Sequence, residues 1–140
     1  MWYNIFMRWI LRSPLHGLLS QNTLLMTYTG RKSGRVYATP MNYVRAAEVF
    51  LTTSFRQRTW WRNLRGGAAV TLRVQGQDLP ARAEVVEDDA GVAAALLTFL
   101  QAVPSWAKYY QVKLGADGQP DAADVAQAAK TRVVVRARPV

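Results

Sequence analysis

The sequence predicts a mainly β protein, a small barrel of about six antiparallel strands with one or two helices on its outside. Runs that are rich in β-branched residues, or that alternate between apolar and polar residues, recur at residues 23–29, 37–45, 49–54, 69–75, 79–86 and 131–137. Short turn sequences join most of these runs, and this spacing favours hairpins over parallel crossovers. Because 140 residues suit one domain and no internal repeat is visible, a single domain is predicted over residues 1–140.

The predicted strands differ in how clearly the sequence marks them. Residues 69–75 alternate cleanly between apolar and polar side chains, and the turn sequence at 76–78 leads into the next strand. Pro40 lies inside the run at 37–45 and predicts an edge, a bulge or a break, because proline cannot donate a ladder hydrogen bond. The last run, at 131–137, is rich in valine and is predicted to close the sheet.

Three segments between or beside the strands are predicted to be helical. Residues 60–65 form a short helix that ends at a pair of glycines, which favour helix C-termini. Asp88 or Asp89 caps a longer helix with an apolar stripe, and Pro104 ends it. Residues 121–129 form a short alanine-rich helix.

Residues 1–12 predict a helix of unusual composition. Asn4, Arg8 and Arg12 make one narrow polar stripe, and apolar or aromatic residues cover the rest of the surface. Such a helix packs on its own domain, lies on a membrane surface or meets a partner protein. It is too short to span a bilayer, and no signal-peptide pattern is present. The predicted location is cytoplasmic, with peripheral contact at the inner membrane face as an option, and self-association stays open.

The composition limits the chemistry that the chain can perform. It has no cysteine and a single histidine, which excludes thiolate nucleophiles, cysteine-ligated metals and histidine-based triads, so no metal site is predicted. His16 is interpreted as a structural or solvated residue. Eighteen Lys and Arg residues oppose nine Asp and Glu residues, which gives a formal charge of +9. This excess predicts an anionic partner: nucleic acid, an acidic membrane surface or a phosphorylated ligand.

The segment Gly30-Arg31-Lys32-Ser33-Gly34-Arg35 places three cations and two glycines in one loop between strands. Glycines permit positive φ angles, so several backbone N–H groups can converge on an anion while the cations neutralise its charge. The glycine spacing does not match a phosphate-binding loop of the Walker type. An ordinary basic hairpin tip in solvent explains the same residues.

Two aromatic segments are further candidates for a site. In residues 56–65, tryptophans beside arginines could stack on nucleobases or pack against a planar tricyclic ring, whereas an amphipathic helix with its tryptophans in the core explains them as well. In residues 104–110, Trp106 and Tyr109 could wall a pocket, and a tyrosine hydroxyl could orient or protonate a substrate. Core packing is the alternative for this segment.

Taken in order, these segments resemble the deazaflavin-dependent nitroreductase family, a group within the split β-barrel flavin and deazaflavin oxidoreductases. The resemblance rests on Thr27-Tyr28-Thr29-Gly30-Arg31-Lys32-Ser33-Gly34-Arg35, on Thr39-Pro40-Met41-Asn42-Tyr43-Val44, on a strand that ends at Ser54, on Trp60-Trp61-Arg62-Asn63-Leu64 and on Pro104-Ser105-Trp106-Ala107-Lys108-Tyr109. It extends over nearly the whole chain from about Leu24. It implies a split β-barrel for the predicted strands.

The resemblance also implies site residues. It implies that the loop holds the phosphate-bearing tail of the cofactor through Arg31, Lys32, Ser33 and Gly34. It implies that the cofactor is further bound by Pro40, Asn42, Ser54, Trp60 and Asn63. Trp106 and Tyr109 match substrate-pocket positions.

Two segments depart from the family pattern. The loop Phe55–Thr59, which contacts the ring in relatives, is short, and residues 115–130 resemble an insertion.

The function that the resemblance implies is hydride transfer between the deazaflavin coenzyme F-420 and a small acceptor such as a quinone, a nitro compound or an activated alkene. Coenzyme F-420 carries a phosphodiester and a polyglutamate tail, which suits a strongly basic domain. Hydride transfer needs no protein nucleophile or metal, because the cofactor carries the chemistry. An FMN-binding split barrel and a non-enzymatic cofactor carrier are the nearest alternatives. A nucleic-acid-binding module is less favoured, and no nucleic-acid partner is expected.

Overall fold

The structure, a computed structural model, describes residues 23–140 and consists of one antiparallel sheet with two α-helices against it. The predicted helix at 1–12, its membrane contact and His16 lie outside the described residues. The strands are β1 (Thr23–Thr29), β2 (Val36–Asn42), β3 (Val44–Ala46), β4 (Val49–Phe55), β5 (Ala68–Val74), β6 (Gln77–Val86) and β7 (Arg132–Pro139).

The sheet order is β2-β1-β5-β6-β7-β4-β3, and every neighbouring pair is antiparallel. The two edge strands, β2 and β3, are separated in sequence by Tyr43 alone, so the sheet curls until its edges approach each other. This arrangement confirms the predicted mainly β split barrel. The strand count is seven because the run at 37–45, predicted as one strand, crosses between the two edges at Tyr43. Pro40 lies on β2, where an edge strand tolerates it.

Alternating side chains of the strands build two cores. One fills the inside of the curled sheet with residues such as Leu24, Phe50 and Leu72. The other lies between the outer face of the sheet and α1 (Asp89–Ala102), against which α2 (Ala122–Ala129) packs. Neighbouring residues of one strand point to opposite faces, so β4 and β7 contribute to both cores.

The helices begin and end near the predicted positions. The carboxylate of Asp88 accepts a 2.7 Å hydrogen bond from the Gly91 N–H and caps α1. Pro104 follows the end of α1 and begins a 3₁₀ helix over Pro104–Tyr110. The predicted helix at 60–65 is a 3₁₀ helix over Trp60–Leu64, and two glycines with positive φ follow it at 66–67. These two short helices flank the candidate site.

Candidate active site

A pocket of about 380 Å³ opens between β2, the end of β4, the start of β7 and the two 3₁₀ helices. Its wall contains both polar and aromatic side chains. Six of the residues predicted for cofactor and substrate lie in it: Pro40, Asn42, Ser54, Trp60, Trp106 and Tyr109. The wall is completed by Thr39, Met41, Thr53, Phe55, Arg58, Tyr110 and Arg132. Residues from the predicted cofactor and substrate groups therefore share one pocket.

Trp60 forms one wall of this pocket and is held on both sides. Its indole N–H donates a 2.9 Å hydrogen bond to the Ser54 hydroxyl, at the end of β4. Its ring lies 5.9 Å from that of Tyr28, centre to centre. The Tyr28 hydroxyl lies 3.3 Å from the Thr39 hydroxyl, and burial raises the pKa of Tyr28, so the phenol stays neutral at ordinary pH. The orientation of the indole is thus fixed by β1, β2 and β4 together.

The basic loop lies outside the pocket wall and forms a closed turn. The Gly30 N–H donates to the Arg35 carbonyl at 2.8 Å, and the Gly34 N–H donates to the Gly30 carbonyl at 2.9 Å. Gly34 has a φ of 70°, a conformation that a side chain would strain. The Ser33 hydroxyl accepts from the Arg35 N–H at 3.2 Å. The side chains of the loop are exposed and available to a ligand.

A chain of hydrogen bonds connects this loop to the pocket through Asn63. The Asn63 amide oxygen accepts from the Arg31 N–H at 3.0 Å, and the Asn63 amide nitrogen donates to the Trp60 carbonyl at 2.9 Å. The Arg31 guanidinium also donates to the Arg65 carbonyl. Asn63 was predicted to contact the cofactor. The structure places it behind the pocket wall, where it joins the loop to Trp60 and, through the indole, to Ser54.

The two arginines of the short loop Phe55–Thr59 point in different directions. The Arg58 side chain lines the pocket. Arg56 instead donates to the Asp89 carboxylate and to the Ala129 carbonyl, both at 3.1 Å. Of these two arginines, only Arg58 contributes to the wall of this pocket.

In the rest of the Arg/Trp segment, two arginines pack against one tryptophan. Trp61 is buried in the inner core, and the guanidinium carbons of Arg62 and Arg65 lie 5.5 and 5.0 Å from the centre of its indole. Arg65 also forms a bidentate pair with Glu87. The burial of Trp61 matches the amphipathic-helix interpretation of the segment, whereas Trp60 lines the pocket.

Three polar residues lie on the floor of the pocket: Thr53, Tyr110 and Arg132. Sequence reasoning missed Thr53 and Arg132, and it included Tyr110 only within the candidate segment 104–110. Arg132 is only 6% exposed, and its guanidinium carbon lies 4.7 Å from the ring centre of Phe55 and 4.6 Å from that of Tyr110. The Tyr110 hydroxyl lies 2.7 Å from the Thr53 hydroxyl. Burial raises the pKa of Tyr110 and lowers the pKa of Arg132. The one available signal was a charged residue at the start of an otherwise valine-rich strand.

The predicted insertion at 115–130 does not line this pocket. Leu114 and Pro120 pair across a tight turn, and α2 follows and packs against α1 and β7. None of the residues 115–130 contributes to the pocket wall. Within residues 23–140, no group of three acidic or histidine side chains could hold a metal ion. In the same range, no helix has the length and apolar character needed to cross a membrane.

Comparison with protein families decides the assignment. Residues 13–119 match the family described as F420H(2)-dependent quinone reductase. The chain belongs to this family. The prediction of a deazaflavin-dependent oxidoreductase is therefore confirmed, and family membership implies coenzyme F-420 as the cofactor. A comparison with the sequences of curated proteins gave no match.

Solved structures similar to this family member share its fold. A structure described as an F420-H2 dependent reductase (FDR-A) is 17% identical, with a TM-score of 0.52 over 83% of this chain and 94% of that one. A domain-swapped dimer is 18% identical, with a TM-score of 0.56 and 96% of both chains covered. The FAD and heme binding protein from Mycobacterium smegmatis is 12% identical, with a TM-score of 0.56 over 92% of this chain and 67% of that one. At these identities the likeness shows the split barrel alone.

Proposed function

We propose that this protein transfers hydride from reduced coenzyme F-420 to a small organic acceptor, namely a quinone, a nitro compound or an activated alkene. The family match supports the coenzyme and the reaction type. The pocket described above supports the finer statement, because it brings the predicted cofactor-facing residues and the predicted acceptor-facing residues into one space. In the reaction the acceptor gains a hydride from the coenzyme and a proton from solvent.

The basic loop is proposed to bind the anionic tail of the coenzyme. Arg31, Lys32 and Arg35 are exposed, and the closed turn between Gly30 and Gly34 fixes the backbone from which they extend. Charge-assisted hydrogen bonds from such groups to phosphate and carboxylate oxygens are stronger than neutral ones. The chemistry of these donors fits a phosphodiester and a polyglutamate.

The pocket wall is proposed to hold the ring of the coenzyme. Trp60 presents an aromatic surface beside Pro40, and Asn42 and Ser54 supply hydrogen-bonding groups in the same wall. Arg58 extends from the short loop into this space and supplies a cationic donor there. The protein thereby positions the ring, while reduced coenzyme F-420 supplies the hydride.

Trp106 and Tyr109, on the second 3₁₀ helix, are proposed to hold the acceptor. Trp106 packs on Phe99 of α1 with ring centres 5.3 Å apart, whereas Tyr109 is 65% exposed at the pocket mouth. An aromatic wall of this kind suits a flat acceptor such as a quinone and excludes water from its faces.

One observation carries this proposal: the continuous hydrogen-bonded link between the basic loop and the pocket. It runs from the Arg31 N–H through Asn63 to Trp60 and on to Ser54, with distances of 3.0, 2.9 and 2.9 Å. A ligand with an anionic tail and a planar ring at opposite ends would contact both parts of one rigid unit. Coenzyme F-420 has this form.

The test is a titration of the purified full-length protein with coenzyme F-420, FMN and FAD, followed by an assay of reduced coenzyme F-420 oxidation at 420 nm. We expect the tightest binding for coenzyme F-420 and turnover with a quinone such as menadione. Tighter binding of FMN would replace the proposal with an FMN-binding split barrel. Tight binding of coenzyme F-420 without turnover of any quinone, nitro compound or activated alkene would indicate a carrier.

A further inference from the structure

A second pocket, of about 560 Å³, adjoins the candidate active site through a shared wall. Phe55, Tyr109 and Arg132 line both pockets. The remaining wall of the second pocket includes Lys130, and it also contains Arg56, Gln57, Gln111 and Thr131. Arg132 therefore lies at the junction of two spaces that a ligand of moderate size could occupy together.

The charge of Arg132 is unmatched within residues 23–140. Its guanidinium donates to the Thr131 hydroxyl at 3.3 Å and otherwise contacts the rings of Phe55 and Tyr110, but no described carboxylate pairs with it. Three other arginines of the described chain do have acidic partners, at 2.9–3.2 Å: Arg56 with Asp89, Arg65 with Glu87 and Arg73 with Asp78. A buried cation without a partner is costly, and arrangements of this kind are typical of sites that receive an anion.

The surroundings of Arg132 strengthen its attraction for an anion. Among the described residues, neither pocket has an Asp or Glu in its wall, whereas Arg58 lines the first and Lys130 lines the second. The guanidinium keeps its charge at neutral pH even though burial lowers its pKa. Because the group is largely removed from water, an opposite charge beside it interacts more strongly than it would at the surface.

We propose that Arg132, at the junction of the two pockets, and Lys130, in the wall of the second pocket, form an anion site, and that the physiological acceptor is a planar compound that carries a carboxylate. The reducible ring lies in the first pocket and the carboxylate reaches the junction, where the flat guanidinium edge matches its two oxygens. That the ligand is a hydride acceptor rests on the proposed function. The anion site itself is independent of any redox reaction.

The test compares two ligands that differ in charge and that cannot accept hydride. Binding of 2-naphthoate and of the neutral, similarly shaped 2-naphthamide to the full-length protein is measured by calorimetry, with and without saturating coenzyme F-420. We expect the wild-type protein to prefer 2-naphthoate by about tenfold or more, which corresponds to one charge-assisted interaction. The preference should persist with coenzyme F-420 present, because the acceptor and the coenzyme bind together.

Variants test whether the preference for 2-naphthoate over 2-naphthamide comes from Arg132 and Lys130. Arg132→Gln should reduce it to near unity, and Lys130→Gln, an exposed position that does not threaten folding, should reduce it about threefold. Arg138→Gln is the matched control. It removes the same charge from an exposed residue of the same strand, outside both pockets, and should leave the preference unchanged.

Several results would overturn the anion site. One is equal affinity of the wild-type protein for 2-naphthoate and 2-naphthamide. Another is a preference for 2-naphthoate that is unchanged in both Lys130→Gln and a folded Arg132→Gln. Loss of 2-naphthoate binding when coenzyme F-420 is added would assign Arg132 to the coenzyme instead. If Arg132→Gln does not fold, the preference of the wild-type protein for 2-naphthoate and its reduction in Lys130→Gln still test the anion site.

Failure of the proposed function gives a different result. In that case 2-naphthoate is preferred, but reduced coenzyme F-420 is not oxidised by 1,4-naphthoquinone-2-carboxylate or by menadione. If both compounds are reduced and the preference for 2-naphthoate is absent, the proposed reductase function is supported and the anion site is contradicted.

Discussion

Removal of the Asn63 side chain tests whether the basic loop and the pocket wall act as one unit. Asn63→Ala deletes the acceptor for the Arg31 N–H and the donor to the Trp60 carbonyl, bonds of 3.0 and 2.9 Å. Each such bond contributes about 0.5–1.5 kcal/mol net, so the free energy of unfolding should fall by about 1–3 kcal/mol. Asn63→Asp keeps the acceptor and loses the donor, and it should lose roughly half as much.

Two measurements separate this effect from general destabilisation. Urea unfolding gives the free energies, and amide hydrogen exchange at Arg31 reports its own hydrogen bond. Protection of the Arg31 amide should disappear in Asn63→Ala and persist in Asn63→Asp. Affinity for coenzyme F-420 should fall in Asn63→Ala, because the freed loop must then be ordered on binding. Unchanged protection and unchanged affinity in Asn63→Ala would refute the link between loop and pocket.

Three further predictions concern the tail, the ring and the pocket floor. The double change Arg31→Ala and Lys32→Ala should weaken binding of intact coenzyme F-420 by about 2–4 kcal/mol and leave binding of a tail-less deazaflavin fragment unaffected. Equal losses of affinity for both ligands would show that the tail does not bind to this loop. Trp60→Ala should weaken binding of the fragment and of the intact coenzyme alike, about tenfold or more, by analogy with base–aromatic stacking. Unchanged binding of the fragment to a folded variant would show that the ring does not contact this wall. The pKa of Tyr110 is raised by burial, so the stability it contributes is present below pH about 10 and is lost as the pH rises through the folded-state pKa. Tyr110→Phe should therefore make alkaline unfolding less steep than in the wild-type protein, and an unchanged pH profile from 9 to 12 would contradict the assigned burial.

The sequence predicted the elements whose signals are local. The alternation at 69–75 is a local signal, and a strand forms there. Pro40 predicted an edge, a bulge or a break, and it lies on an edge strand. The crossing at Tyr43 was missed because a single residue there moves the chain from one edge of the sheet to the other. No local pattern distinguishes such a crossing from a continuous strand.

The candidate site was predicted in its aromatic parts and missed in its polar floor. Trp60 and Trp106 were found through the order of motifs along the chain, and both line the pocket. Arg132 was missed because its importance comes from burial beside Phe55 and Tyr110, residues that are distant in sequence. Asn63 was predicted to contact the cofactor, and its position behind the wall depends on a contact with the basic loop that spacing along the chain does not encode.

The position of β7 has a consequence for how the molecule folds. This strand comes last along the described chain, yet it lies between β6 and β4, with Phe50 opposite Ala137 and Ala83 opposite the same residue on the other side. Until β7 is in place, β4 and β6 each expose a row of unbonded main-chain groups, which invites pairing between separate molecules. Sheet closure must therefore wait for contacts between distant parts of the chain, and such contacts form slowly. Changes in this strand are thus expected to lower the yield of refolding as the protein concentration increases.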